Sequence, residues 1–345
     1  MFPFSMTLIS EIIKSRNNLV STKNIDTWRF PQQELTPERP DRQKIFNYLN
    51  LIVRNHGLFD KATSFYTDDT SRDLLRLLYC FRALGPSCIL LPTNTKKYWE
   101  NFEIGATWWH KSSEKEIPPF EIALYHAKFM GKYIELECWL GNVVFSFISQ
   151  QYFFDRDGLR IAPSTGDYVI DGGGCFGDTA LEFSVAVGDT GRVFSFEPVP
   201  RLKEIFTSNV TRNAALARNI ELFGDALSNV SGQILPFNDS GAGSRRDENG
   251  ALQVASITID DFVRERNLPR LDYIKMDIEG SEREALKGAA ETIRRFRPKL
   301  AISGYHRWDD LLIIPALIKK IEPSYKFVLD NYTIHAEESV IFASV

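Results

Sequence analysis

The sequence predicts an α/β protein: a mostly parallel seven-stranded sheet with an antiparallel last strand, preceded by a mainly helical N-terminal addition. Three observations carry this. From Gly166 onward, short apolar runs alternate with segments of helical period, the pattern of strands whose crossover helices cover both sheet faces. A run of glycines joins the first apolar segment to its helix. At the C-terminus two strand-like runs follow one another with no helix between them, as in a closing hairpin.

The chain has 345 residues, enough for two domains. Residues 1–150 read as an accessory region and 151–345 as the α/β domain. Residues 1–45 suggest a short amphipathic helix and then an irregular stretch holding Pro31, Pro37 and Pro40. Asp68, Asp69, Thr70 and Ser71 can cap a helix whose Leu74, Leu75, Leu78 and Phe81 recur at helical spacing; Gly85-Pro86 ends it. Residues 120–150 show no decisive period. In the second half, strands are expected at 168–170, 192–196, 220–223, 273–276, 300–303, 325–329 and 340–343. Helices are expected at 179–187, 200–213, 281–296 and 310–321.

Composition excludes several classes. With 43% hydrophobic and 25% charged residues, the chain can bury a sizeable core. A net charge of −4 and a pI near 5.9 offer no basic field to a nucleic acid. Cys80, Cys88, Cys138 and Cys175 are scattered without a C-x-x-C pair, which speaks against a disulfide framework or zinc site and fits a reducing cytoplasm. The N-terminus lacks a charged start, and Glu11 interrupts its apolar run, so no signal peptide and no transmembrane segment are expected.

Asp171-Gly172-Gly173-Gly174-Cys175-Phe176-Gly177 follows the first expected strand, where open sheets bind ligands. Gly172, Gly174 and Gly177 match G-x-G-x-x-G, and Glu197 stands twenty residues past Gly177. That combination also fits an NAD site. Asp171, immediately before the glycines, favours S-adenosylmethionine instead: an acid there opposes a diphosphate but suits a sulfonium and an ammonium. The candidate cofactor residues are Asp171, Gly172, Gly173, Gly174, Gly177, Thr179, Glu197, Pro198, Asp225, Ala226 and Asp277. Glu197 can accept both ribose hydroxyls. Asp225 can accept the adenine amino group, with the Ala226 N–H reaching a ring nitrogen; a simple turn aspartate after Gly224 explains Asp225 as well.

Tyr168 to Gly174, Phe196-Glu197-Pro198-Val199-Pro200 and Ile274-Lys275-Met276-Asp277-Ile278-Glu279-Gly280-Ser281-Glu282 together resemble the FkbM-type methyltransferases, over about residues 150–345. The resemblance implies a Rossmann-like fold and O-methylation of a sugar or polyketide-sugar hydroxyl, in polysaccharide or natural-product biosynthesis. Where the family's loop has Ala-Asn after its first glycine, this chain has Gly173-Gly174-Cys175.

Asp277 ends the fourth strand, and Glu279 projects the same way if the backbone stays extended. Together they could orient acceptor hydroxyls or hold Mg²⁺. Glu282 suits a helix N-terminus, and Lys275 can salt-bridge an acid. His306, after the fifth strand, is the candidate base, since imidazole accepts a proton near neutral pH; a solvated loop histidine is the alternative. Tyr305 or Trp308 could stack on a sugar ring. An NAD-linked oxidoreductase and a non-catalytic cofactor-binding scaffold remain competing readings. The aromatic-rich N-terminal region, holding Trp99, Trp108, Trp109 and Trp139, is expected to cover the acceptor side or to make a homodimer contact.

Overall fold

In the computed structural model, residues 3–21, 23–29 and 39–345 are described. Pro31 and Pro37 lie outside the described residues. Residues 1–99, 304–319 and 326–341 form one compact unit, and 100–303, 320–325 and 342–345 another.

The first unit opens with helices α1 (Phe4–Ser15), α2 (Arg42–Arg54), α3 (His56–Ala62) and α4 (Asp69–Leu84). Asp68 is the N-cap of α4, accepting the Ser71 N–H at 2.7 Å, and Gly85 closes the helix at φ +76°. Leu74, Leu75, Leu78 and Phe81 are all buried, so the helical spacing read from the sequence marks the core face. Among the described residues no helix is long and apolar enough to cross a membrane.

Helix α5 (Lys96–Thr107) leads into three strands, β1 (Trp109–Ile117), β2 (Phe120–Phe129) and β3 (Lys132–Cys138), paired as an antiparallel sheet. The expectation of a mainly helical addition therefore holds for α1 to α5 and is corrected for residues 109–138. Phe129 pairs with Lys132 across Met130 and Gly131, both at positive φ, the two-residue turn whose twist suits a hairpin. A helical turn α6 (Leu140–Asn142), a π-helical stretch (Val143–Ile148) and the small hairpin of β4 (Phe154–Arg156) and β5 (Leu159–Ile161) follow.

The central sheet starts at β6 (Tyr168–Gly172), followed by α7 (Asp178–Val187), β7 (Arg192–Phe196), α8 (Pro200–Arg212) and β8 (Ile220–Phe223). Three short strands come next: β9 (Ala226–Leu227), β10 (Ile234–Phe237) and β11 (Leu252–Ile257), which form their own sheet. The chain continues through α9 (Ile259–Glu265), β12 (Tyr273–Met276), α10 (Glu282–Lys287), α11 (Ala290–Phe296), β13 (Lys299–Ser303), α12 (Asp310–Ile321), β14 (Lys326–Asn331) and β15 (Ser339–Ser344). The order of the seven-stranded sheet is β14-β15-β13-β12-β6-β7-β8, with parallel pairing from β13 to β8. All seven expected strands are present in it. Strands buried on both faces read as continuous apolar runs, which is why they were legible.

The chain runs outward from β6 to β7 and β8, then returns to place β12 on the other side of β6. β6 thus sits at the switch point of the sheet, beyond whose carboxyl ends open sheets of this kind hold their ligand crevice.

Candidate active site

Pairing register determines the charge arrangement at this crevice. Asp171 lies opposite Lys275 on one side and Ser195 on the other. Its carboxylate is fully buried, 3.1 Å from the Lys275 ammonium, and accepts hydrogen bonds from Ser195 Oγ at 2.7 Å and Thr179 Oγ1 at 3.1 Å. Asp171 and Thr179 are thus engaged with the protein framework beneath the loop. Lys275 does more than neutralise an acid: its Nζ also donates to the carbonyls of Gly172 at 3.1 Å and Gly173 at 2.7 Å. Burial alone would lower this lysine's pKa, yet Asp171, Asp277 and Asp178 hold it above its ordinary value.

The glycines are sterically required. Gly173 has φ +82°, and a Cβ there would overlap the Asp277 carbonyl. At Gly174 a Cβ would run into Ser195 Oγ and come within 2.9 Å of the Phe206 ring. Gly177 is the left-handed N-cap of α7. With Cys175 also at positive φ, the loop turns tightly: the Gly173 and Gly174 N–H groups both donate to the Phe196 carbonyl at 3.0 Å, and the Cys175 N–H donates to Glu197 Oε2 at 2.8 Å.

Glu197, just beyond β7, is 4% exposed, and its other oxygen accepts the Val199 N–H at 2.9 Å. Burial pushes its carboxyl up to about 7 against the two amide donors. Pro198 is half-buried beside it. Asp225 is half-buried after β8. Ala226 opens β9, pairs with Ser256 of β11 and packs its side chain with Leu235, Phe237 and Val254.

Asp277 adjoins the glycine loop directly: its N–H donates to the Gly172 carbonyl at 3.0 Å. Extended backbone ends at Met276, and Glu279 lies in a left-handed turn at φ +53° followed by Gly280 at φ +92°. This corrects the premise that put Asp277 and Glu279 on one side of an extended segment. Glu282, fully buried at the start of α10, folds back so that Oε1 accepts the N–H groups of Ile278 at 2.9 Å and Gly280 at 3.4 Å. Its carboxylate shapes the acidic loop from within.

His306 lies beyond β13 in the first unit, its ring 4.2 Å from that of Tyr305. The Trp308 carbonyl accepts hydrogen bonds from Tyr79 Oη at 3.0 Å and Arg82 Nη1 at 2.9 Å, and the residue is 37% exposed.

Sequence reasoning missed two buried residues here. Tyr152, 3% exposed, donates its hydroxyl to Asp277 Oδ2 at 2.8 Å. Glu182 sits fully buried on α7 with no hydrogen-bond partner on either oxygen, and burial raises its pKa well above the ordinary range. An acid inside the apolar run Ala180-Leu181-Glu182-Phe183 was the available signal for the second.

Residues 171–327 match the family model described as the methyltransferase FkbM domain. The chain carries an FkbM methyltransferase domain. The candidate cofactor and acidic-loop residues all fall within this segment, and Tyr152 lies outside it. Among solved structures, methyltransferase FkbM from Methylobacillus flagellatus KT is similar at 21% identity and a TM-score of 0.56, over 85% of this chain. The chain spans 60% of that protein's length, and at this identity the likeness shows the fold. Aeropyrum pernix fibrillarin, solved with natively bound S-adenosyl-L-methionine, is 11% identical over 69% of this chain and 99% of its own, at a TM-score of 0.35. A SAM-dependent methyltransferase from Aquifex aeolicus is 14% identical over 53% of this chain and 84% of its own, at 0.33. No curated protein matches the chain.

Proposed function

We propose that the protein is an S-adenosylmethionine-dependent O-methyltransferase acting on a hydroxyl of a sugar, polysaccharide precursor or related natural product. One observation carries the cofactor: acids follow the two strands that flank β6, Glu197 after β7 and Asp277 after β12, on either side of a glycine loop whose own acid, Asp171, is taken up by Lys275 beneath it. Such a donor set fits a ligand with a cationic sulfonium, an ammonium and a ribose diol, and opposes a diphosphate. The acceptor class rests on the family resemblance.

S-Adenosylmethionine supplies an already activated methyl group. The chain's own work is to seat the ribose on Glu197, to keep Asp277 beside the glycine loop, and to hold the acceptor oxygen in line. As the oxygen–methyl bond forms and the carbon–sulfur bond breaks, the hydroxyl proton passes to a base, for which His306 is our candidate. If a divalent ion takes part, Asp277 and Glu279 are its candidate ligands; the turn at Glu279 leads us to favour the base. Residues 1–150 serve in this reading as an accessory region for the acceptor or for a second copy of the chain. The test is transfer of a radiolabelled methyl group onto a panel of sugars, sugar nucleotides and glycosides. Labelled glycan is the expected product; label appearing only on a nitrogen or carbon acceptor would contradict O-methylation.

A further inference from the structure

We infer that Tyr152 is a positioning residue that sets the direction of the Asp277 carboxylate toward the cationic end of the cofactor. The inference rests on the cofactor reading above and adds a residue outside the matched segment 171–327.

Tyr152 is held from several sides. Its carbonyl accepts the Tyr273 hydroxyl at 2.6 Å, its ring meets Phe183 edge-on at 6.4 Å, and the Lys275 ammonium lies 5.2 Å from the ring centre. Tyr273 and Lys275 belong to β12, the strand that leads into Asp277. The ring is therefore fixed to the strand that precedes the acid its hydroxyl grips at 2.8 Å. A phenol O–H bonded to one carboxylate oxygen restricts rotation about the Asp277 side chain. Because the Asp277 backbone abuts Gly172 and Gly173, this fixed carboxylate borders the loop that would seat the cofactor's amino-acid end. An anion there attracts both the ammonium and the sulfonium; the product keeps the ammonium and loses the sulfonium charge, so the two ligands feel the carboxylate unequally.

The experiment is calorimetric binding of S-adenosylmethionine and S-adenosylhomocysteine to four full-length proteins: wild type, Tyr152→Phe, Asp277→Asn and the double variant. Phenylalanine keeps the ring, its packing and the backbone carbonyl. Tyr152→Phe is expected to weaken S-adenosylmethionine by about three- to tenfold, the size of one net hydrogen bond, and S-adenosylhomocysteine by less than about twofold. In the Asp277→Asn background, Tyr152→Phe should add no further loss of selectivity. Equal weakening of both ligands, or an undiminished effect without the Asp277 carboxylate, would overturn the positioning role. Wild-type protein binding neither ligand would instead bring down the cofactor reading, and this inference with it.

Discussion

The Lys275 ammonium bridges the Asp171 carboxylate at 3.1 Å and the Gly173 carbonyl at 2.7 Å, tying the end of β12 to the glycine loop after β6. One buried cation thus neutralises the acid under the loop and holds the loop's backbone. Replacing it with methionine leaves Asp171 charged and buried without its counter-ion. The expected cost is about 3–5 kcal/mol of stability, read from chemical denaturation. A Lys275→Met protein within about 1 kcal/mol of wild type would show that the pair contributes little.

Glu197→Ala should weaken S-adenosylhomocysteine by about 1.5–3 kcal/mol, the scale of hydrogen bonds to a charged group. The carboxyl's pKa of about 7 adds a pH dependence. Below that value the group is neutral and cannot accept from two ribose hydroxyls with full strength, so affinity should rise between pH 6 and 8. Stability of the unliganded protein moves the opposite way. The folded pKa is raised, so the folded state binds the extra proton between the unfolded value of 4.5 and about 7. Stability therefore falls as pH rises through that window, by about 3 kcal/mol from this group alone. Unchanged affinity in Glu197→Ala, or none of this pH trend in wild type, would remove Glu197 from the ribose site.

A His306 base implies that His306→Ala lowers turnover by about 10²–10⁴ while S-adenosylhomocysteine affinity stays at the wild-type value. Chelator should leave turnover unchanged, and Asp277→Ala should still impair it. Near-normal turnover in His306→Ala would sink the base assignment; activity lost to chelator and restored by Mg²⁺ would assign Asp277 and Glu279 to an ion.

A chain beginning at Tyr152 should fold poorly. It lacks β3, which α8 binds through buried side chains: Asn209 pairs with both the N–H and carbonyl of Glu137 at 2.8 and 2.9 Å, and Asn213 does the same for Glu135 at 3.0 and 2.6 Å. Losing those partners forfeits four hydrogen bonds, at about 0.5–1.5 kcal/mol each. A soluble, monomeric and fully active truncated protein would contradict both this estimate and the accessory role of residues 1–150.

Much of this architecture was legible because apolar runs such as Val169-Ile170 and Leu300-Ala301-Ile302 are what strands buried on both faces require. By contrast β1, Trp-His-Lys-Ser-Ser-Glu-Lys-Glu-Ile, is largely exposed and carries no alternation; its pairing with β2 is a tertiary fact. Strand β10 was hidden by Pro236 and its brevity. At the site, the acids at the strand ends were readable from their places after apolar runs. Lys275's hold on the loop was not, since it depends on the register between β6 and β12. Glu279's left-handed backbone was equally hidden: nothing in Ile278-Glu279-Gly280 shows which residue takes the positive φ first.

The most direct test of the central claim is the melting temperature of the full-length protein with S-adenosylhomocysteine and, separately, with NADH. A ligand at a hundred times its dissociation constant adds about 2.7 kcal/mol to the folded state. The account predicts a clear rise with S-adenosylhomocysteine and none with NADH. Stabilisation by NADH alone would contradict it and make the glycine loop a dinucleotide site.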